Sequence, residues 1–260
     1  MEPKRITSPR NELIKHYKKL CKSSSERREK GLFVLEGLRV VTDLKGMVCP
    51  RILLVTEEAL GKYAERLDED FLRTCGEVIV IDRDIADDIA LTETSQQVFA
   101  VCDAPVRSSP ESYGGEPLVI LDMIRDPGNM GTILRTADAM GISVGICGCC
   151  DELSPKVVRS AVGSLFRVRL YAGGFEEMLG AVHRKGIRTM AAVISRDAEV
   201  LGRVSLDNSA VVIGNEANGI PAEHTALCGG RLTIPMKGSI NSLNAAMAAG
   251  LIMWELSGRK

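Results

Sequence analysis

Three stretches in the C-terminal half carry the side chains best suited to chemistry. The first runs Asp122-Met-Ile-Arg-Asp-Pro-Gly-Asn129-Met-Gly-Thr-Ile-Leu-Arg135. Its Asn129 can donate and accept through the amide or simply cap a helix, and Arg135 is a permanent cation beside Leu134 in a segment expected to pack on a sheet. The second, Gly214-Asn-Glu216-Ala-Asn-Gly219, sets a carboxylate between two glycines, where backbone can approach a ligand closely. The third passes from Ile234-Pro235-Met236 to Asn241-Ser242-Leu243-Asn244 at the head of an apolar Ala/Met-rich helix. Asn241 or Ser242 there is either a plain N-cap or a site residue. Taken singly, these are weak signals.

The elements that must position them alternate strand and helix. Strands are expected at 118–122, 143–147, 168–171, 188–193 and 210–214, and helices at 131–140, 155–164, 175–185 and 243–256. Val/Ile-rich strands joined by helices imply an α/β fold with a mostly parallel sheet covered on both faces. In such sheets ligands bind beyond the carboxyl ends of strands, where all three stretches fall. The N-terminal half reads as a smaller α/β domain. An amphipathic helix is expected at 11–20, with Leu13, Ile14, Tyr17 and Leu20 at helical spacing, followed by strands at 32–35, 52–56 and 77–81 and helices at 39–44 and 57–66. The Pro/Ser/Gly-rich run around 105–116 reads as a flexible linker, dividing the chain into domains 1–104 and 117–260.

Composition narrows the function classes. With 45% hydrophobic and 26% charged residues among 260, the chain is that of a globular protein, and only 4% aromatics argues against a surface built on base stacking. No run approaches the ~20 apolar residues of a membrane span, and no signal-like apolar stretch opens the sequence, so a cytoplasmic location is expected. Cys147, Cys149 and Cys150 cluster without a second Cys/His pair at zinc-finger spacing, so no metal is expected. The net charge of −1 conceals a basic start: residues 1–30 hold ten Lys and Arg against four Glu. That excess suits phosphate contact or a solvated helix face equally well.

Order and spacing together give the three stretches a joint meaning. Asn129-x-Gly131-x-x-x-Arg135, Gly214-x-Glu216-x-x-Gly219 and Ile234-Pro235-Met236 followed by Ser242-Leu243-Asn244 resemble the motifs of the SpoU (TrmH-type) branch of the SPOUT RNA methyltransferases. The match covers about 117–260, and the intervening Arg159-Ser160-Ala161-Val162-Gly163-Ser164 also resembles a stretch of that family. Phe33-Val34-Leu35-Glu36-Gly37-x-Arg39 is similar to the small L30e-like substrate domain of rRNA-modifying members.

The resemblance implies a SPOUT α/β domain with a C-terminal trefoil knot, which periodicity could not have supplied because knots are rare. It implies S-adenosylmethionine held by Gly214, Ile234, Met236 and Leu243, and a ribose 2′-hydroxyl, most readily of 23S-type rRNA, as methyl acceptor. Arg135 is then the activating residue, with Asn129, Glu216, Ser242 and Asn244 arranging the site. Arginine stays protonated, so Arg135 is expected to act as a cation and Glu216 to orient Arg135 or an amide. RNA phosphates are expected at Lys18, Lys19, Arg28 and Arg39. A homodimer through the catalytic domain is implied, with the helix at 243–256, including Met247, Met253 and Trp254, mostly core. The rivals are a tRNA ribose methyltransferase of the same fold and a non-catalytic RNA-binding or ribosome-assembly factor.

Overall fold

The computed structural model describes residues 4–238 and 242–258. Its first part comprises β1 (Lys4–Ile6), α1 (Glu12–Lys22), α2 (Ser24–Lys30), β2 (Leu32–Glu36), α3 (Leu38–Asp43), β3 (Pro50–Val55), α4 (Glu57–Lys62), α5 (Glu69–Leu72), β4 (Glu77–Ile81), α6 (Arg83–Ile89) and β5 (Val98–Asp103). The chain continues as β6 (Leu118–Asp122), α7 (Pro127–Met140), β7 (Ser143–Cys147), α8 (Pro155–Ala161), β8 (Leu170–Ala172) and α9 (Phe175–Arg184). Then follow β9 (Arg188–Ala192), β10 (Glu199–Val200), β11 (Ser209–Ile213), α10 (Ala222–Leu227), β12 (Gly230–Thr233) and α11 (Ala245–Leu256). Two compact units result: the described residues up to Pro105 with Leu153–Phe166, and all the others.

The first unit is built on a mixed sheet of order β1-β4-β3-β5-β2, in which β5 runs antiparallel to both its neighbours. β5 is absent from the expected elements, although Val98–Cys102 is wholly buried at the middle of the sheet. Its short unbroken apolar run is the same signal that β6, β7 and β11 carry. Asn11 caps α1, and Ile14, Tyr17 and Leu20 enter the core from its inner face. α8, expected with the C-terminal domain, belongs to this unit. Val157, Val158 and Ala161 are buried, the Phe166 ring lies 5.3 Å from Phe33, and Arg159 approaches Glu36 to 3.9 Å. α8 stops at Val162, which is left-handed at φ 48°.

The second unit is a seven-stranded parallel sheet of order β10-β12-β9-β11-β6-β7-β8. β6, β7 and β11 are buried along their whole length, as strands covered on both faces must be. From β6 the chain builds outward through β7 and β8, then returns to β9 and inserts β11 on the other side of β6. The topological switch point therefore lies between β6 and β11. The expected linker is packed instead: residues 106–116 belong to this unit, where Pro110–Ser112 forms a 3-10 turn. Tyr113 is buried edge-on to Tyr171, and its hydroxyl donates to the Glu116 carbonyl at 2.6 Å. Its Pro, Ser and Gly residues mark turns, and one tyrosine anchors them.

Candidate active site

At the switch point two loops meet, one leaving β6 and the other β11. α7 begins with Asp126 as N-cap, its carboxylate accepting from Asn129 N at 2.8 Å, and with Pro127 in the first turn. This releases the Asn129 side chain from capping. Its Nδ2 donates to Glu216 Oε1 at 3.0 Å, and its Oδ1 accepts from Asn244 Nδ2 at 2.8 Å. Asn244, rather than Ser242, caps α11, its Oδ1 accepting from Ala246 N at 2.9 Å and Met247 N at 3.2 Å. The other candidate cap, Asn241, lies outside the described residues.

Chemistry fixes the orientation of this chain of amides. A carboxylate only accepts, so the Asn129 amide nitrogen must face Glu216 and its oxygen must face Asn244. Asn244 must then donate, because its own oxygen holds the α11 amides. The three motifs are thus joined through Glu216, Asn129 and Asn244.

Glu216 closes the two loops at a second level. Its carboxylate accepts from Arg125 N and Asp126 N, both at 3.1 Å, so a negative charge sits on amides leading into α7, where the helix dipole favours it. Partial burial opposes its ionisation, but donation from Asn129 and the backbone outweighs that and holds the carboxyl below the usual range. It is a fixed anion and a weak base. It accepts from the Asn129 amide, and among the described residues it makes no ion pair with Arg135.

Asn215 escaped the sequence reading. Its Nδ2 donates to the Met123 carbonyl at 2.9 Å, while its Oδ1 accepts from Ala217 N and Asn218 N, shaping the loop after β11. Met123 is left-handed at φ 58°, a strained state for a side-chain-bearing residue. The Gly-Asn-Glu order held this signal.

Gly214 is required by its own loop whether or not a ligand approaches: a Cβ there would lie 2.4 Å from Gly219 C and Ile220 N. Arg135 is exposed on α7 and makes no hydrogen bond or ion pair among the described residues. Ser242 is exposed too. Ile234, Met236 and Leu243 are half-buried, and Ile234, Pro235 and Met236 make no hydrogen bonds among the described residues. The loop after β9 escaped the reading as well. β9 lies between β12 and β11, so Val193 and the exposed Ile194 emerge between two motif-bearing loops.

In the first unit, Lys18 pairs with Asp88, Lys19 with Glu26 at 2.5 Å and Arg39 with Asp43 at 3.2 Å, while Arg28 donates to Ser24. Much of the basic surplus is locally partnered. Cys147 and Cys149 are thiols pushed up to about 12 by burial, and the Cys149 thiol donates to the Leu121 carbonyl. No described helix is long and apolar enough to cross a membrane.

The SpoU rRNA Methylase family model matches residues 116–254, and that of an MRM3-like substrate binding domain matches 11–100. A 23S rRNA (guanosine(2553)-2′-O)-methyltransferase of Bacillus subtilis is 29% identical over 98% of this chain and 100% of its own length. A 23S rRNA (uridine(2479)-2′-O)-methyltransferase of Streptomyces viridochromogenes is 31% identical, with 97% and 91% covered. Among solved structures, an AdoMet-bound rRNA methyltransferase from Sinorhizobium meliloti superposes with a TM-score of 0.82 at 26% identity, covering 98% of each chain. The Streptomyces viridochromogenes SpoU methyltransferase AviRb, in complex with the cofactor AdoMet, gives 0.84 at 28% identity, covering 95% of this chain and 97% of its own.

Proposed function

Because the chain belongs to the SpoU rRNA methylase family, we propose that it transfers a methyl group from S-adenosylmethionine to a ribose 2′-hydroxyl of 23S-type rRNA. The observation that carries this reading is the bonded chain Glu216–Asn129–Asn244, which links three separate motifs at one switch point. A scaffold protein has no need of it. The cofactor supplies a methyl group on a sulfonium, already a strong electrophile. Half-buried Ile234, Met236 and Leu243, with the 234–236 backbone making no hydrogen bonds among the described residues, suit its adenosine part, with Gly214 shaping the neighbouring loop.

The chain's own task is to orient the hydroxyl and to stabilise the charge developing on it. Arg135 does the second as a cation, gripping the target phosphate and the nascent alkoxide. Asn129, locked by Glu216 and Asn244, fixes the first turn of the helix that carries Arg135. Ser242 completes the arrangement from the third motif. The first unit holds RNA through Lys18, Lys19, Arg28 and Arg39; the exposed pairs Lys18–Asp88 and Arg39–Asp43 contribute little and yield readily to phosphate, whereas Lys19 is held by the buried Glu26.

Two further features of the reading concern architecture. Membership of the family implies a C-terminal trefoil knot, and α11 packs on α7 and on β11. A second copy covers α11, where Met247, Leu251 and Trp254 form an apolar stripe with Met247 and Trp254 each 59% exposed. The test of the activity is incubation with radiolabelled S-adenosylmethionine and separate unmodified rRNA and tRNA pools, followed by nucleoside analysis. A 2′-O-methylnucleoside from rRNA is expected; label confined to tRNA, or to a base, overturns the reading.

A further inference from the structure

All seven strands of the second unit run parallel, so the loops leaving their carboxyl ends emerge along one edge in the order of the strands. From β10 to β6 that edge carries a row of cations. Each stands a few residues past the end of its strand: Arg203 after Val200, Lys237 after Thr233, Arg196 after Ala192 and Arg125 after Asp122. All four are exposed, and their side chains make no hydrogen bond or ion pair among the described residues. Neighbouring strands lie about 4.8 Å apart, which spreads the row over roughly 19 Å.

The carboxylates on the same stretch are engaged. Asp126 accepts from Asn129 N at 2.8 Å, Glu216 accepts from the amides leading into α7, and Asp197 is held by Arg231 at 2.9 Å. Apart from Arg135, the exposed cations elsewhere in this unit have local partners. Arg167, Arg169 and Arg188 pair with Asp138, Glu116 and Glu199, and Arg184 and Lys185 close α9, where the helix dipole favours them. The other end of the edge has the opposite sign. Residues 148–152 and 173–177, after β7 and β8, hold Asp151, Glu152, Glu176 and Glu177 and no Lys or Arg. Arg107, itself mostly buried, reaches Glu152 at 3.1 Å.

We propose that this row is a track for the phosphates of the RNA strand that carries the methylated nucleotide, an inference that rests on the function proposed above. Cations spread singly over such a length suit a chain of charges rather than one small anion. The row also runs through the motif-bearing loops: the Arg125 N–H donates to Glu216, and Lys237 follows Ile234-Pro235-Met236. A strand lying on it therefore crosses the reaction site. The negative loops after β7 and β8 repel it, so it leaves on the β10 side. Phosphate contacts fix register and orientation without reading sequence. Arg196, Arg203 and Lys237 are thus positioning residues that set the ribose in place and leave the choice of nucleotide to other contacts.

The test uses the full chain, a 23S rRNA transcript and labelled S-adenosylmethionine. In the triple variant Arg196→Ala, Arg203→Ala, Lys237→Ala, KM for the transcript at physiological ionic strength should rise about tenfold. The slope of log affinity against log salt should flatten by about two, the share of three phosphate contacts on a single strand. In the same variant kcat at saturating transcript, and the affinity for S-adenosylmethionine measured by calorimetry, should stay as in the wild type. Arg196→Lys with Arg203→Lys keeps the charges and should bind RNA as the wild type does. Arg184→Ala with Lys185→Ala removes two charges away from the track and should change neither KM nor the slope. Unchanged KM and slope in the triple variant, or an equal loss in the Arg184 and Lys185 control, overturns the track and leaves methyl transfer standing. So does a loss seen with ribosomal particles but not with naked transcript, which would assign the row to an acidic protein. Failure of the wild-type chain to label any RNA, naked or in particles, overturns the proposed function and the inference with it.

Discussion

Asn129 is the residue on which the site turns, since its amide both donates to Glu216 and accepts from Asn244, which a carboxylate in its place could not do. Asn129→Asp would set two carboxylates 3.0 Å apart in place of an amide–carboxylate bond. The variant should lose at least tenfold in kcat while its melting temperature stays within a few degrees, because the pair is only partly buried. Arg135→Lys retains the charge without the planar fork, and single-turnover assays should find most activity gone with cofactor affinity intact. Near-normal turnover by that variant would remove the charge-stabilisation argument. Glu216 gives a pH signature. Its folded pKa lies below the unfolded value of about 4.3, so its contribution is fully present above that range and is lost as pH falls through the lower folded value. Denaturation followed from pH 6 downward should therefore show a loss below about pH 4 that is smaller in Glu216→Gln.

At the scale of elements, the loop after β11 is set by its own backbone. Gly214→Ala drives a Cβ into Gly219 and Ile220, and chemical denaturation should report a loss of about 1–3 kcal/mol, the usual cost of overpacking. Asp126→Ala removes the α7 cap and should cost about 1 kcal/mol. The parallel sheet of the second unit was legible because its strands are apolar runs separated by amphipathic helices; the motif order then located the loops that meet at the switch point. β5 carries the same apolar-run signal as β6, whereas α8 carries nothing in its residues to say which unit it joins, and His224 means nothing until Asp122 is beside it. Asn129 read equally as cap or as amide donor, and only Asp126, three residues earlier, decides between them. Of Met247, Met253 and Trp254, expected to be mostly core, Met253 alone is buried, because the side of α11 that packs on α7 and β11 is carried by Ala245, Ala246, Ala249, Ile252 and Met253, which leaves Met247 and Trp254 on the other side.

For the whole molecule, the exposed stripe on α11 predicts association. Trp254→Glu combined with Met247→Glu should shift the species seen by sedimentation velocity from dimer to monomer without lowering the melting temperature of the protomer. Charge reversal at Lys18, Lys19 and Arg28 should weaken rRNA binding and flatten its dependence on salt, with cofactor binding unchanged. The excursion of Leu153–Phe166 into the first unit means that the chain passes between units at three points rather than one. A gene fusion that joined this catalytic half to a foreign RNA-binding module at a single breakpoint near residue 105 would leave Val157, Val158 and Ala161 facing water with no β2 to receive them. The two halves can be exchanged among relatives only if α8 and its seat on β2 travel as a matched pair, so target choice in this lineage is expected to change by substitution inside the first unit more readily than by swapping it.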